Sequence, residues 1–191
     1  MKLLEQKIIE KGKVLPNNVL KVGAFLNNQL DINLLSKMGK EVYKKFKHKK
    51  VTKILTVEAS GIAFACLTAQ WFKCDVIFAK KSKTSNVEGG VFSSSCFSYT
   101  HQNENQLIVP KEYLTKTDNV LIIDDFLAHG EALKALNDIV NQSGATCVGA
   151  GIAIEKGFQH GGDEMRKNGL DVFSLAIVES MTDDGKITFR N

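Results

Sequence analysis

Hydrophobic positions along this 191-residue chain alternate between two kinds of spacing. Leu4, Ile8 and Ile9 within Leu3 to Lys11 predict a first amphipathic helix, ended by Gly12. Leu34, Leu35, Met38, Val42 and Phe46 repeat at helical spacing behind Asp31, a good N-cap, and predict a second. Between them, Val14 to Gln29 is irregular and reads as an exposed strand or loop. Lys53 to Val57, Asp75 to Ala79, Asn119 to Asp124, Thr146 to Ile154 and Asp171 to Val178 are short apolar runs that predict strands. The run Val120-Leu121-Ile122-Ile123 has no polar alternation, as expected of a parallel strand covered on both faces. Helices are predicted over Ile62 to Phe72 and Glu131 to Gln142, the latter stopped at Gly144, with a loop and helix over Gly157 to Asn168.

Val91 to Thr100 and Gln106 to Pro110 predict an antiparallel excursion around a polar turn. Lys186 to Arg190 predicts a short terminal strand. Strands alternating with helices give an α/β protein with a mostly parallel sheet and helices on both faces. The length fits one domain, residues 1–191, and no Pro/Gly/Ser-rich linker divides it.

Charge changes the picture little. The net charge of +4 suits anionic substrates and gives weak support to nucleic-acid binding. Much of the excess is local, in Lys40, Lys44, Lys45, Lys47, Lys49, Lys50 and Lys53, which read as a solvated helix end and turn. Neither a helix-turn-helix signature nor an aromatic-basic pattern is present. Cys66, Cys74, Cys96 and Cys147 form no CxxC pair and read as reduced structural thiols. No signal peptide or membrane-length apolar segment is seen, so a cytoplasmic protein without membrane association is expected.

Candidate chemistry concentrates after the unalternated strand. Asp124 and Asp125 are placed just outside its carboxyl end, where parallel sheets bind ligands. Ala128-His129-Gly130-Glu131-Ala132 then offers backbone N–H groups at a helix N-terminus, a cradle for phosphate. Acids beside an anion cradle are contradictory for a simple anion and consistent for a sugar phosphate. Elsewhere, Ser60 in Glu58-Ala59-Ser60-Gly61 either caps the next helix or, with its small neighbours, admits phosphate oxygens. Lys80, Lys81 and Lys83, with Ser82, Thr84, Ser85, Gly89 and Gly90, read as a polar loop able to neutralise phosphate. Lys156 can donate to a carbonyl on an electron-rich base and Phe158 can stack on its face. There is no Walker A motif and no dinucleotide fingerprint after Val57.

The branched apolar residues, two acids, two linking residues and small glycine-containing loop resemble the phosphoribosyl-pyrophosphate motif of the type I phosphoribosyltransferases. Leu20 to Asn27, Val57 to Gly61, Ser85 to Gly90, Ile123 to Ala132 and Ile154 to Phe158 together resemble the bacterial xanthine branch of that family. The resemblance implies a five-stranded core with a small hood from about residues 1–30 and 156–191, and a homodimer. It implies transfer of phosphoribose from 5-phospho-α-D-ribose 1-diphosphate to xanthine, with magnesium bound to the donor. Asp124 and Asp125 are then the catalytic acids at the ribose. Ala128 to Ala132 hold its 5′-phosphate, and Ala59, Ser60, Gly61 and Lys81 hold the diphosphate. Leu20, Asn27, Lys156 and Phe158 meet the base. His129 and Glu131 depart from the amide-like residues usual in this branch. Ala128 replaces the Asp that many purine phosphoribosyltransferases carry as a proposed base, and so cannot take a proton. The alternative function is a purine regulator that keeps the donor site as a sensor.

Overall fold

The computed structural model describes residues 1–82, 89–98, 103–182 and 184–190. The elements run α1 (Lys2–Lys11), β1 (Lys13–Leu15), β2 (Val19–Lys21), α2 (Ile32–Phe46), β3 (Lys53–Val57), α3 (Gly61–Phe72), β4 (Asp75–Ser82), β5 (Val91–Ser98) and β6 (Asn103–Pro110). There follow β7 (Asn119–Leu127), α4 (Glu131–Ser143), β8 (Thr146–Lys156), α5 (Gly161–Lys167), β9 (Val172–Met181) and β10 (Ile187–Phe189).

One eight-stranded sheet has the order β10-β9-β8-β7-β3-β4-β6-β5. Its centre, β9-β8-β7-β3-β4, is parallel throughout, and β10, β6 and β5 are antiparallel additions at the two edges. The expected type I phosphoribosyltransferase fold, with a five-stranded parallel core, is therefore present. Successive strand residues face opposite sides, and here both sides are apolar. Leu121 and Ile123 of β7 pack with α1, α2 and α3 through Ile8, Leu35, Val42 and Phe64. Val120 and Ile122 pack on the other face with Leu133, Leu136, Ile139 and Val140 of α4. The missing alternation in sequence is thus two interleaved faces, each buried.

The chain adds β4 on one side of β3 and returns to add β7 on the other. That reversal makes the β3/β7 boundary the switch point, where a crevice opens beyond the carboxyl ends of the strands. β3 pairs with β7 only as far as Leu55↔Ile122, while β7 continues beside β8 to Leu127↔Glu155. The strands part at the level of the two acids.

Several expectations need correction. Asp124 and Asp125 do not follow the strand; they lie inside it, because pairing with β8 carries β7 on to Leu127. Lys81 is not in a loop, because Lys80, Lys81 and Ser82 pair with Ile108, Leu107 and Gln106 of β6. Lys83, Thr84 and Ser85, and Thr100 at the end of the expected strand, fall outside the described residues. The irregular segment after Gly12 is a β1–β2 hairpin followed by a single π-helical turn, Gly23–Asn27, that buries Phe25 and Leu26. Asn17 and Asn18 take positive φ at the hairpin tip, a conformation asparagine tolerates. Ile9 is 63% exposed, so α1 buries only Leu4 and Ile8. Cys66 is exposed rather than buried structural sulfur.

Asp31 caps α2 by accepting from Leu34 N–H at 3.0 Å, and also pairs with Lys7 at 2.8 Å. The Lys7 ammonium, then the Leu34 amide, hold its carboxyl below the ordinary 3.8. Asp31→Ala should lower unfolding free energy by about 1 kcal/mol at neutral pH. Because the native carboxyl is the more acidic one, that stabilisation should fade as pH falls through its depressed value. Urea titrations of both proteins across the acid range read the difference.

Candidate active site

Where β3 and β7 part, a cavity of about 770 Å³ is lined by Ser60 at the β3–α3 turn, Lys81 on β4, Asn27 from the N-terminal segment, Asp124 and Asp125, and the loop Ala128 to Ala132. Elements far apart in sequence meet here because the switch point joins the ends of β3 and β7. Cys96 and Phe97 of β5 and Asn105 and Leu107 of β6 close one side, lining that nothing in the sequence pattern marked.

The two acids are 5% and 6% exposed. The Asp124 carboxylate accepts the N–H of Asp125 at 2.9 Å. Burial, and after it the neighbouring Asp125 charge, hold the Asp124 carboxyl well above the ordinary 3.8. Asp125 accepts from the Asn27 side-chain amide at 3.3 Å, which brings the N-terminal segment over the acids. A Cβ on Gly61 would overlap the Thr56 hydroxyl and stand 3.1 Å from Asp124 Oδ1, so glycine lets α3 start directly against the acid. Thr56 Oγ1 is itself buried without a hydrogen-bond partner among the described residues.

The loop after β7 ends at Gly130, whose φ of 88° is one that glycine takes readily. α4 begins at the next residue, so the loop amides and the helix N-terminus converge on one spot of the cavity. Glu131 puts a carboxylate in the first turn of that helix, and Lys134 at 3.1 Å pairs with it. Ser60 makes no side-chain capping bond to α3, which leaves its hydroxyl available to the cavity. Glu58 Oε1 accepts the Lys81 N–H at 2.7 Å and ties this turn to the β4 extension.

The remaining sequence candidates are not part of this lining. Ala59 and Gly61 belong to the same turn as Ser60 without lining the cavity. Leu20 is buried in the core beside Val22 and Phe25. Lys156 ends β8, is lowered in pKa by burial, and donates to the Asn18 carbonyl at 2.9 Å across to the hairpin. Phe158 follows in a 3-10 turn, half-buried against the core.

A model of the phosphoribosyl transferase domain matches residues 22–184. A xanthine phosphoribosyltransferase of Ruminiclostridium cellulolyticum is 51% identical over 99% of both chains. One from Bifidobacterium adolescentis is 51% identical over the whole of both. Among solved structures, an adenine phosphoribosyltransferase of Trypanosoma brucei, in complex with AMP, pyrophosphate and ribose-5-phosphate, superposes with a TM-score of 0.76. It is 18% identical, over 95% of this chain and 82% of that one. The Saccharomyces cerevisiae adenine enzyme gives a TM-score of 0.73 at 20% identity, over 92% and 99%. At such identities the structural likeness establishes the fold.

Ionising Asp124 inside the fold is unfavourable, since its native carboxyl binds a proton more tightly than the unfolded one. That cost is absent below about pH 3.8 and grows as pH rises through the raised native value. Asp124→Asn should therefore raise the melting temperature of the ligand-free protein at neutral pH by roughly 2–4 °C. The gain should shrink toward about pH 4. Calorimetric scans at both pH values check it; an Asn variant less stable than wild type at neutral pH contradicts it.

Proposed function

The chain belongs to the phosphoribosyl transferase domain family, and from that membership we propose that it is a xanthine phosphoribosyltransferase. It would convert xanthine and 5-phospho-α-D-ribose 1-diphosphate to xanthosine 5′-phosphate and diphosphate. The observation that carries this reading is the single cavity in which two buried acids face an anion cradle at a helix N-terminus. The full-length identity to relatives named for this activity supports xanthine as the base. The regulator alternative gains nothing from these relatives.

In the reaction the bond from the ribosyl carbon to the diphosphate breaks and a bond from that carbon to a purine nitrogen forms. Positive charge grows on the sugar between the two events. Asp124 and Asp125 are assigned to the ribose, orienting its hydroxyls and stabilising that charge. Ala128 to Ala132 anchor the 5′-phosphate, and Ala59, Ser60, Gly61 and Lys81 receive the diphosphate. The anchored phosphate fixes the distance from loop to reacting carbon, so that carbon is held without a covalent link to the protein. Ala128 has no proton acceptor, and the purine proton is left to the acidity of the substrate itself or to water.

Magnesium fits the donor set. Asp124 and Asp125 are hard oxygen acceptors, and burial, then the neighbouring Asp125 charge, raises the proton affinity of Asp124; they would meet the waters of a magnesium ion held mainly by the donor's diphosphate. Carboxylates that accept from its waters suit an ion that keeps waters and phosphate oxygens as its ligands. When bound with the donor, it reduces the charge on the leaving group.

Leu20, Asn27, Lys156 and Phe158 are assigned to the base under a hood formed by the two chain ends. Lys156 already donates to one carbonyl, that of Asn18, and a purine oxygen is chemically the same partner. A cytoplasmic homodimer completes the reading.

Incubating the protein with each purine, magnesium and the donor tests the assignment. Xanthosine 5′-phosphate should form fastest. Equal turnover of guanine would remove the base assignment, and no turnover of any purine would remove the activity. Asp125→Asn should reduce kcat roughly a hundredfold while the protein stays folded. Lys156→Ala should raise the xanthine KM roughly tenfold or more and leave donor affinity nearly unchanged. Steady-state kinetics beside circular dichroism separate these outcomes from unfolding.

A further inference from the structure

Behind the cavity lies a charge cluster that the reaction does not use. Glu155, in register with Leu127 at the end of β7, is 1% exposed, the least exposed acid among the described residues. Arg166, at the far end of α5, grips its carboxylate with both arms of the guanidinium, at 3.0 and 2.6 Å. The Ser174 hydroxyl of β9 donates to the same carboxylate, and Arg166 Nε donates to the Val172 carbonyl at 3.1 Å. A buried pair of this kind seldom adds stability over apolar packing, but it fixes geometry.

What it fixes is the start of α5. A Cβ on Gly162 would overlap the Glu155 carboxylate, so the helix backbone lies directly on the acid. A Cβ on Gly161 would overlap the backbone of Ala128, His129 and Gly130, so the same backbone lies directly on the phosphate loop. Arg166, Glu155, the two glycines and the loop therefore form one unbroken stack.

We infer that the Glu155–Arg166 pair is a positioning device for the donor's 5′-phosphate. It holds the glycines of α5 against the back of the 128–130 loop, so that the loop amides converge before the phosphate arrives. The inference rests on the proposed activity, because it assigns the loop to that phosphate. Lys156, although adjacent in sequence, directs its ammonium to the hairpin. The stack should thus act on the phosphate and not on the base.

The test uses Glu155→Gln, which keeps shape and removes charge, Arg166→Lys, which keeps charge and removes the fork, and Gly161→Ala, which leaves the ion pair and pushes on the loop. Donor and xanthine KM are measured together with inhibition by ribose 5-phosphate and by inorganic pyrophosphate. In Glu155→Gln and Gly161→Ala, the donor KM and the ribose 5-phosphate inhibition constant should both rise roughly tenfold. The xanthine KM and the pyrophosphate constant should stay within about twofold. The Glu155→Gln/Arg166→Lys double variant should be little worse than the more impaired single one, since both break one contact. Unchanged donor and ribose 5-phosphate constants in a folded variant would overturn the inference. So would a parallel rise in all four constants, which marks general loosening. If the charge variants do not fold, Gly161→Ala alone decides between these outcomes. Failure of wild type to turn over any purine would instead count against the activity, and calorimetric binding of ribose 5-phosphate would then test the stack independently.

Discussion

Two adjacent carboxylates are kept almost out of water where β7 leaves β3, and the surrounding structure is arranged around that cost. Among the described residues no lysine or arginine forms an ion pair with either acid, and Lys81 of the same cavity only partly offsets the charge on Asp124. Instead Asp124 accepts a backbone amide and Asp125 accepts from Asn27. The consequence is a reserve of unfavourable electrostatics in the ligand-free fold. In the proposed reaction a cation or a developing sugar charge would relieve it, so the same feature that lowers stability would be the one aimed at the chemistry.

The loop proposed for the phosphate solves the opposite problem. It presents partial positive charge from amides and a helix end, with no cationic side chain needed in the loop itself. Glu131 is even an anion there, balanced by Lys134. Glycines do the geometric work at both ends of the crevice. Gly61 lets α3 meet Asp124, and Gly161 lets α5 meet the loop. In each case a methyl group would separate two backbones or a backbone and a carboxylate. The acids and the cradle are thus held by close backbone contact, which is stiffer than contact through long side chains.

The N-terminal hairpin and the turn after it are tied to the ends of both β7 and β8. Asn27 reaches Asp125, and the Asn18 carbonyl receives Lys156 from the end of β8. Residues separated by about half the chain or more are joined by these two contacts. The hairpin's own burial is small: of its two strands, only Leu20 is fully inside. Its placement therefore depends on these polar contacts and on the buried turn that follows, with Phe25 and Leu26.

The sequence by itself determined the α/β class, the parallel core strands, the helices behind Asp31 and Gly130, and the acid-plus-loop motif. These follow from local rules: an unalternated apolar run, a helical apolar stripe, a capping acid, a glycine where the backbone turns. The resemblance of scattered segments to one family added the assignment of donor and base. Strand ends were misplaced because they depend on neighbours. Asp125 and Lys81 look like residues beyond a strand until pairing with β8 and β6 carries β7 and β4 past them. Only the tertiary structure decided that β3 and β7 part at the acids, that Asn27 comes over Asp125, and that Glu155 lies buried behind the phosphate loop. No local pattern encodes such meetings, because they join distant segments whose proximity is created by the order of strands in the sheet.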